Sequence, residues 1–426
     1  MSLWSLAWKS LWNRRLSVGL TVFAIAVSVS LLLAVERVRV ESKASFAQTI
    51  NGVDLIIGPR GGSSQLLLYS VFRLGEATGN FSWSSFELLR SSPKVAWAIP
   101  ISLGDSHRGY RVLATDNSYF QHYHYGDNQA LVFAAGNTNG FNSLFDVVLG
   151  SEVARKLGYT TGNRIVLSHG IAENSLTDHA NKPFQVTGIL KPTGTPVDRT
   201  VHITLAGMEA LHVDWQNGAP AISRLVGSSE NIPADSAQQI NLTPTSITAA
   251  MVGLKSRLAV FQMQRGINTY SKEPLMAILP GVALAELWQS FALMEKILLL
   301  VSACVAIASL LGLMAVMLTS LNERRRELAV LRAVGARPRH VFGLLLLESG
   351  LVGIAGVLTG LLLFHVALLG LKPWLASEFG LFLPLRWPGQ SELLILLAVI
   401  IAAFFTGLLP ALRAYRNLLS DGLAPR

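Results

Sequence analysis

Charge is scarce in this sequence, and cysteine is almost absent. Of 426 residues only 14% are charged, and the one cysteine, Cys304, lies inside an apolar run. A single cysteine excludes a disulfide framework and a cysteine-based metal site. A phosphate-binding loop needs Gly-x-x-x-x-Gly-Lys-[Ser/Thr], whose lysine reaches the phosphates. None of the ten lysines follows a glycine, so that loop is missing. "GPRGG" at 58–62 is glycine-rich but lacks the lysine, and reads as an ordinary loop. No Ser-His-Asp order, His-Glu-x-x-His pair or paired-carboxylate motif stands out, nor any internal repeat or low-complexity tract. The chain gives no positive signal for a catalytic centre of its own.

What it has instead is apolar length. Hydrophobic residues make up 51% of the chain and mean hydropathy is +0.43. That is too apolar for an ordinary soluble protein and too polar for a chain made only of membrane spans. Four runs are long enough to cross about 30 Å of hydrocarbon: 16–35, 297–321, 341–371 and 391–412. None lies between 36 and 295, so the expected architecture is four transmembrane helices with a large water-exposed domain between the first two. The basic Lys9, Arg14 and Arg15 before the first run also suit a signal peptide, but the run is long for one and no small-residue cleavage site follows.

Charge placement sets the expected orientation. Segment 1–16 holds three basic residues. Segment 322–340 holds six arginines against Glu323 and Glu327, and 411–426 holds three arginines against Asp421. These carry the whole formal charge of +9, leaving 23 residues of each sign elsewhere. With four spans the three segments share one side, which the positive-inside rule makes the cytoplasm. The region between the first two spans and the loop 372–390 then lie outside. The same distribution argues against nucleic acid as a partner, since the basic excess hugs the membrane.

"LNERRRELAVLRAVGARPRHV" (321–341) carries more structure than an anchor needs. From Asn322 to Val334 there is neither Gly nor Pro, and good helix formers dominate. Leu328, Leu331 and Arg332 are spaced for one face; Gly335 can close a helix and Pro338 can block its continuation. A short, basic, half-apolar helix between two spans reads as a docking element for a cytoplasmic partner.

This stretch closely resembles the signature of the FtsX-like permeases of the MacB/LolC type, with Glu323, Arg324, Glu327, Leu328, Ala329, Leu331, Arg332, Ala333, Gly335 and Ala336 matching. "VVLGSEVARKLGYTTGNRIVL" (147–167) and "FQVTGILKPTGTPVDRTVHITL" (184–205) look like the exterior domain of the same permeases, and the tail "LLPALRAYRNLLSDGLAPR" follows their ending except that Asp421-Gly422 replaces the usual proline. The resemblance implies the permease subunit of an ABC transporter. It also implies a mixed α/β exterior domain, with porter-like parts at 40–104 and 241–285 and a β-rich, Sabre-like insertion at about 105–240. ATP and magnesium are expected on a separate ATPase present in two copies. That subunit would be contacted through Glu323, Arg324, Glu327, Leu328, Leu331, Arg332 and Gly335. A homodimer or paralogous pair is expected, with a possible periplasmic adaptor or lipoprotein partner, in a bacterial inner membrane with both termini cytoplasmic. The rival expectation is a non-transporting signalling protein that activates a periplasmic partner.

Smaller features complete the reading. Trp4, Trp8, Leu11 and Trp12 share one helical face in 1–15, suiting a helix in the headgroup layer of the membrane lipid. "VDLIIG" (53–58) and "RIVLS" (164–168) read as strands, and "SWSSFELLRSS" (82–92) as a serine-capped helix stopped by Pro93. Residues 286–296 are expected to form a stalk continuing into the span at 297–321, and 413–426 a cytoplasmic tail. In "SYFQHYHYGD" (118–127), His122 and His124 read as alternating on a strand, with His107 upstream. They are weak metal candidates, since aromatic-rich segments are more often packing surface. Glu348 and His365 are the ionisable residues of the third span and are expected to face the dimer interior or lie near the span ends.

Overall fold

The computed structural model describes residues 12, 14–169, 182–212, 215–216, 219–220, 242–323, 337–379 and 385–413. The chain forms two compact units, Lys43–Ser290 and a helical unit of Met1–Ser42 with Phe291–Arg426.

In chain order, helix α1 (Arg15–Gln48) leads into strand β1 (Leu55–Pro59), α2 (Ser63–Val71), α3 (Trp83–Arg90), β2 (Val95–His107) and β3 (Tyr110–Thr115). After them come α4 (Ser118–His122), β4 (Phe133–Gly136), β5 (Asp146–Leu149), α5 (Ser151–Leu157), β6 (Phe184–Leu190), β7 (Thr200–Thr204) and α6 (Leu205–His212). The series ends with β8 (Ala249–Leu254), α7 (Val260–Asn268), β9 (Leu275–Ile278), α8 (Pro280–Glu323), α9 (Pro338–Phe379) and α10 (Gln390–Thr406).

The unit Lys43–Ser290 is built on one mixed sheet in the order β9-β1-β8-β2-β3-β7-β5-β6-β4, with two short strands paired at its side. Pairs β7–β3 and β5–β6 are parallel, and the other neighbours on this path are antiparallel. Side chains of a strand alternate between faces, and here both faces are buried. Leu55, Ile57, Ala250 and Val252 join one core with Phe86, Val153 and Leu211. Ile56, Ala249 and Met251 join the other with Leu66, Tyr69, Tyr119 and Phe120. Burial on both sides is why "DLIIG" is a nearly continuous apolar run rather than an alternating one. β2 pairs with β8 along its first half and β3 along its second, so the line expected between residues 104 and 105 falls inside one strand. The helix read at 82–92 is α3, with Ser82 accepting from the Ser85 backbone N–H. "RIVLS" is broken into two short strands, Arg164–Ile165 and Ser168–His169.

In the helical unit, α1, α8, α9 and α10 each contain a stretch long and apolar enough to cross a membrane. α8 runs unbroken for 44 residues, about 66 Å at 1.5 Å per residue. Small residues on α9 let its neighbours approach. A Cβ on Gly353 would lie 2.4 Å from Ala403 Cβ of α10, and one on Gly350 2.3 Å from the Phe404 ring. One and two turns on, a Cβ on Gly356 would lie 2.6 Å from Ile25 Cγ2 of α1, and one on Gly360 2.7 Å from the Ala26 carbonyl oxygen. Ser28 of α1 meets Ser309 of α8, hydroxyl to hydroxyl, at 2.6 Å.

Candidate functional site

A cluster of charged residues of both signs gathers where α1 leaves its apolar run. "ERVRVE" (36–41) closes the apolar run of α1. Arg37 is 1% exposed and Glu392, in the first turn of α10, is 3% exposed. Arg37 Nη2 donates to Glu392 Oε2 at 2.9 Å, and its Nε donates to Oε1, so the pair is bidentate. The same guanidinium stands over the Phe364 ring of α9, 5.5 Å from its centroid. Glu392 also accepts the Gly389 backbone N–H at 2.7 Å, so one carboxylate both caps α10 and holds α1.

Around this buried pair runs a more exposed ring. Arg39 forks onto Glu36 at 2.9 Å and reaches Glu295 of α8 at 2.8 Å. Arg386, just before α10, pairs with Glu41 at 2.8 Å. One turn of α1 is thereby tied to all three other helices. Partly exposed pairs contribute little each, whereas a buried pair holds its partners in one geometry because either charge alone would be costly. His365 lies next to this cluster, its Nδ1 on the Leu361 carbonyl at 2.9 Å. Glu348 is 4% exposed within α9. The sequence reading missed Arg37 and Glu392. The available signal was a dense charge cluster at a span end, but the partners are 355 positions apart.

Of the coupling residues, Glu323 is the last residue of α8. Arg324, Glu327, Leu328, Leu331, Arg332 and Gly335 lie outside the described residues, as do Trp4, Trp8 and Leu11. Pro338 is the first residue of α9, where a missing N–H is harmless.

The histidine reading is corrected. His122 and His124 do not alternate on a strand, because "SYFQH" is the one-turn helix α4. Asp116 Oδ1 accepts the Ser118 N–H at 3.0 Å and starts that turn. His122 stacks on Trp97 at 5.3 Å between ring centroids. His124 Nδ1 meets the His122 carbonyl oxygen, and His107 bridges the Val166 carbonyl and the Tyr159 hydroxyl. The three imidazoles are engaged separately, and no cluster of three metal-ligating side chains occurs among the described residues.

Four membrane-length helices and a sheet-rich domain inserted after the first define a membrane protein with an extracytoplasmic domain. Residues 17–257 match the MacB-like periplasmic core domain and residues 299–418 the FtsX-like permease C-terminal region. The chain belongs to this MacB/FtsX-like family of ABC-transporter permeases. It is similar to the macrolide export ATP-binding/permease protein MacB of Salmonella choleraesuis, 33% identical over 31% of this chain and 19% of that protein. It is also similar to the pyoverdine export ATP-binding/permease protein PvdT of Pseudomonas fluorescens, 24% identical over 56% of this chain and 35% of that protein. The chain thus spans only about a fifth to a third of the length of these curated relatives. The periplasmic region of MacB from Actinobacillus actinomycetemcomitans is a structural neighbour with a TM-score of 0.32 and 11% identity, over 55% of this chain and 92% of that one, a likeness too slight to bear on function.

Proposed function

We propose that this chain is a mechanical relay. ATP bound with magnesium would be hydrolysed by a nucleotide-binding subunit outside these 426 residues, which hold no phosphate-binding loop. That subunit would seat against 322–340, with Leu328 and Leu331 as apolar anchors and Glu323, Arg324, Glu327 and Arg332 as polar contacts. The membrane helices would pass the motion to the extracytoplasmic domain, which would move a periplasmic cargo or act on a periplasmic partner.

The observation that carries this reading is the ionic network of Arg37, Arg39, Glu295, Arg386 and Glu392. A buried bidentate pair inside a ring of further pairs makes the ends of the helices move together rather than slide singly. The reading has two copies of the chain, or this chain and a paralogue, working with two ATPases. Confinement of the +9 charge to three segments supports cytoplasmic termini in the inner membrane.

The test uses Asp127→Cys in a Cys304→Ser background, spin-labelled and reconstituted with the co-purified ATPase. Asp127 is exposed in the extracytoplasmic unit. The distance between labels on paired copies should shift during ATP turnover and return once the nucleotide is exhausted. An unchanged distribution through turnover sinks the relay.

A further inference from the structure

The extracytoplasmic unit holds a buried cation with no carboxylate partner among the described residues. Arg73 follows α2 and is 9% exposed, and its Nε and Nη1 have no hydrogen-bond partner at ordinary distance among the described residues. Among the described residues no carboxylate pairs with it. Burying a charge without a partner is expensive, so native structures rarely leave one in that state. Arg73 also sits at φ 60°, a left-handed position after the helix end that usually falls to glycine. The Leu74 N–H closes the turn on the Leu68 carbonyl at 3.1 Å, which fixes the direction in which the Arg73 side chain leaves.

Its surroundings are polar as well. Tyr69, one helical turn earlier, has a buried hydroxyl with no partner among the described residues, and the buried Tyr119 hydroxyl faces the Arg73 guanidinium. The Arg73 charge acts on Tyr119, Tyr123 and His202, all buried. His202 holds the Val148 carbonyl through Nδ1 at 3.1 Å, which puts its proton there and leaves Nε2 unpartnered. Burial first and the Arg73 charge second push His202 down to about 3, so the imidazole is neutral and does not compete as a cation.

Of these residues, Tyr69 and Arg73 reach the surface. Tyr69 and Arg73 line a cleft of about 350 Å³ that also exposes Arg111, Asn80 and Glu76. That volume falls within the range of small-molecule sites. Its lining is predominantly polar, which suits a charged solute and not an apolar one. Arg111 reaches the Gly75 carbonyl at 2.8 Å and stands at the rim as a second cation, while Glu76 is the opposing carboxylate.

We propose that this cleft is a binding site for a small anionic solute, whose carboxylate or phosphate group pairs with Arg73, with Arg111 as the second cation. An ordered water could satisfy the Tyr69 hydroxyl but not the charge. The two arginines outweigh Glu76, so a monoanion or dianion of modest size fits. Carboxylate and phosphate share this recognition chemistry, and the test separates them.

The experiment measures thermal unfolding of the full chain in detergent, titrated with inorganic phosphate or acetate at constant ionic strength, with chloride as the reference. At least one of the two should raise the melting temperature saturably, and the one that does identifies the group. Arg73→Met should abolish that rise while leaving the unliganded protein at least as stable as wild type, because an unpaired buried charge has been removed. Glu76→Gln, at an exposed position, should tighten the anion several-fold, and Arg111→Ala should weaken it several-fold. These two variants keep the proposal testable should Arg73→Met fail to fold. No saturable response to either anion in wild type overturns the proposal. So does a response that Glu76→Gln and Arg111→Ala leave unchanged, or one that persists in Arg73→Met.

Discussion

Glu392→Gln removes a charge while keeping a side-chain oxygen that can accept the Gly389 N–H and cap α10. What it takes away is the counter-charge of Arg37, held at 2.9 Å with both side chains almost fully buried. Two unit charges about 4 Å apart attract by about 4 kcal/mol at an effective dielectric of 20. Breaking a buried pair from one side costs about 3–5 kcal/mol, because the remaining ion stays desolvated. Phe364 still faces the guanidinium, a contribution of about 1 kcal/mol that does not replace a carboxylate. Glu392→Gln and Arg37→Met should therefore each lower the stability of the helical unit by about 3–5 kcal/mol. The double variant should cost less than the sum of the two by up to about 3 kcal/mol. Reversible unfolding in mixed micelles supplies the cycle. Strict additivity would refute the reasoning, since it would mean that the two residues act on stability independently.

Three further outcomes follow from the same structure. Gly360→Leu and Gly356→Leu should each destabilise the packing of α9 on α1 by about 1–3 kcal/mol or more, read as lost melting temperature in detergent. Gly343→Ala, whose Cβ meets nothing within 4 Å, should be neutral or slightly stabilising. His202 is pushed down to about 3 in the fold, chiefly by burial, while the unfolded chain titrates it near 6.5. Between those values the unfolded state binds more protons, so His202 favours folding above about pH 6.5 and loses that contribution as pH falls toward 3. His202→Gln should flatten this part of the stability–pH curve, and an unchanged slope would contradict it.

The spans were legible because a run of about twenty consecutive apolar residues matches the thickness of the hydrocarbon and is rare in a water-soluble fold. The helix at 82–92 was legible because its serine cap and its stop are both local. The sheet order was not, because β2 is shared by strands from opposite ends of the domain, and nothing within 95–107 names β8 as a partner. "SYFQHYHY" misled for a physical reason: its aromatic and polar residues alternate as in a strand, yet Asp116 just upstream turns the backbone into α4. Arg37 illustrates the remaining limit. A charge at a span end is visible in a sequence, but whether it is solvated, anchors topology or is buried against Glu392 depends on a contact 355 residues away. Arg73 carried still less signal, being one arginine in a polar loop.

The relay stands or falls on 322–340, where the sequence places Leu328 and Leu331 among six arginines. Truncating a buried interface anchor commonly costs about 2 kcal/mol or more, against under about 1 for a rim charge. The decisive measurement is recovery of the ATPase subunit with affinity-purified wild type, Leu328→Asp, Leu331→Ala and Arg326→Ala, at equal membrane expression. The account predicts ATPase retained by wild type and Arg326→Ala, and lost or strongly reduced with Leu328→Asp and Leu331→Ala. Wild-type recovery with Leu328→Asp would contradict it and leave the arginines as topology anchors alone.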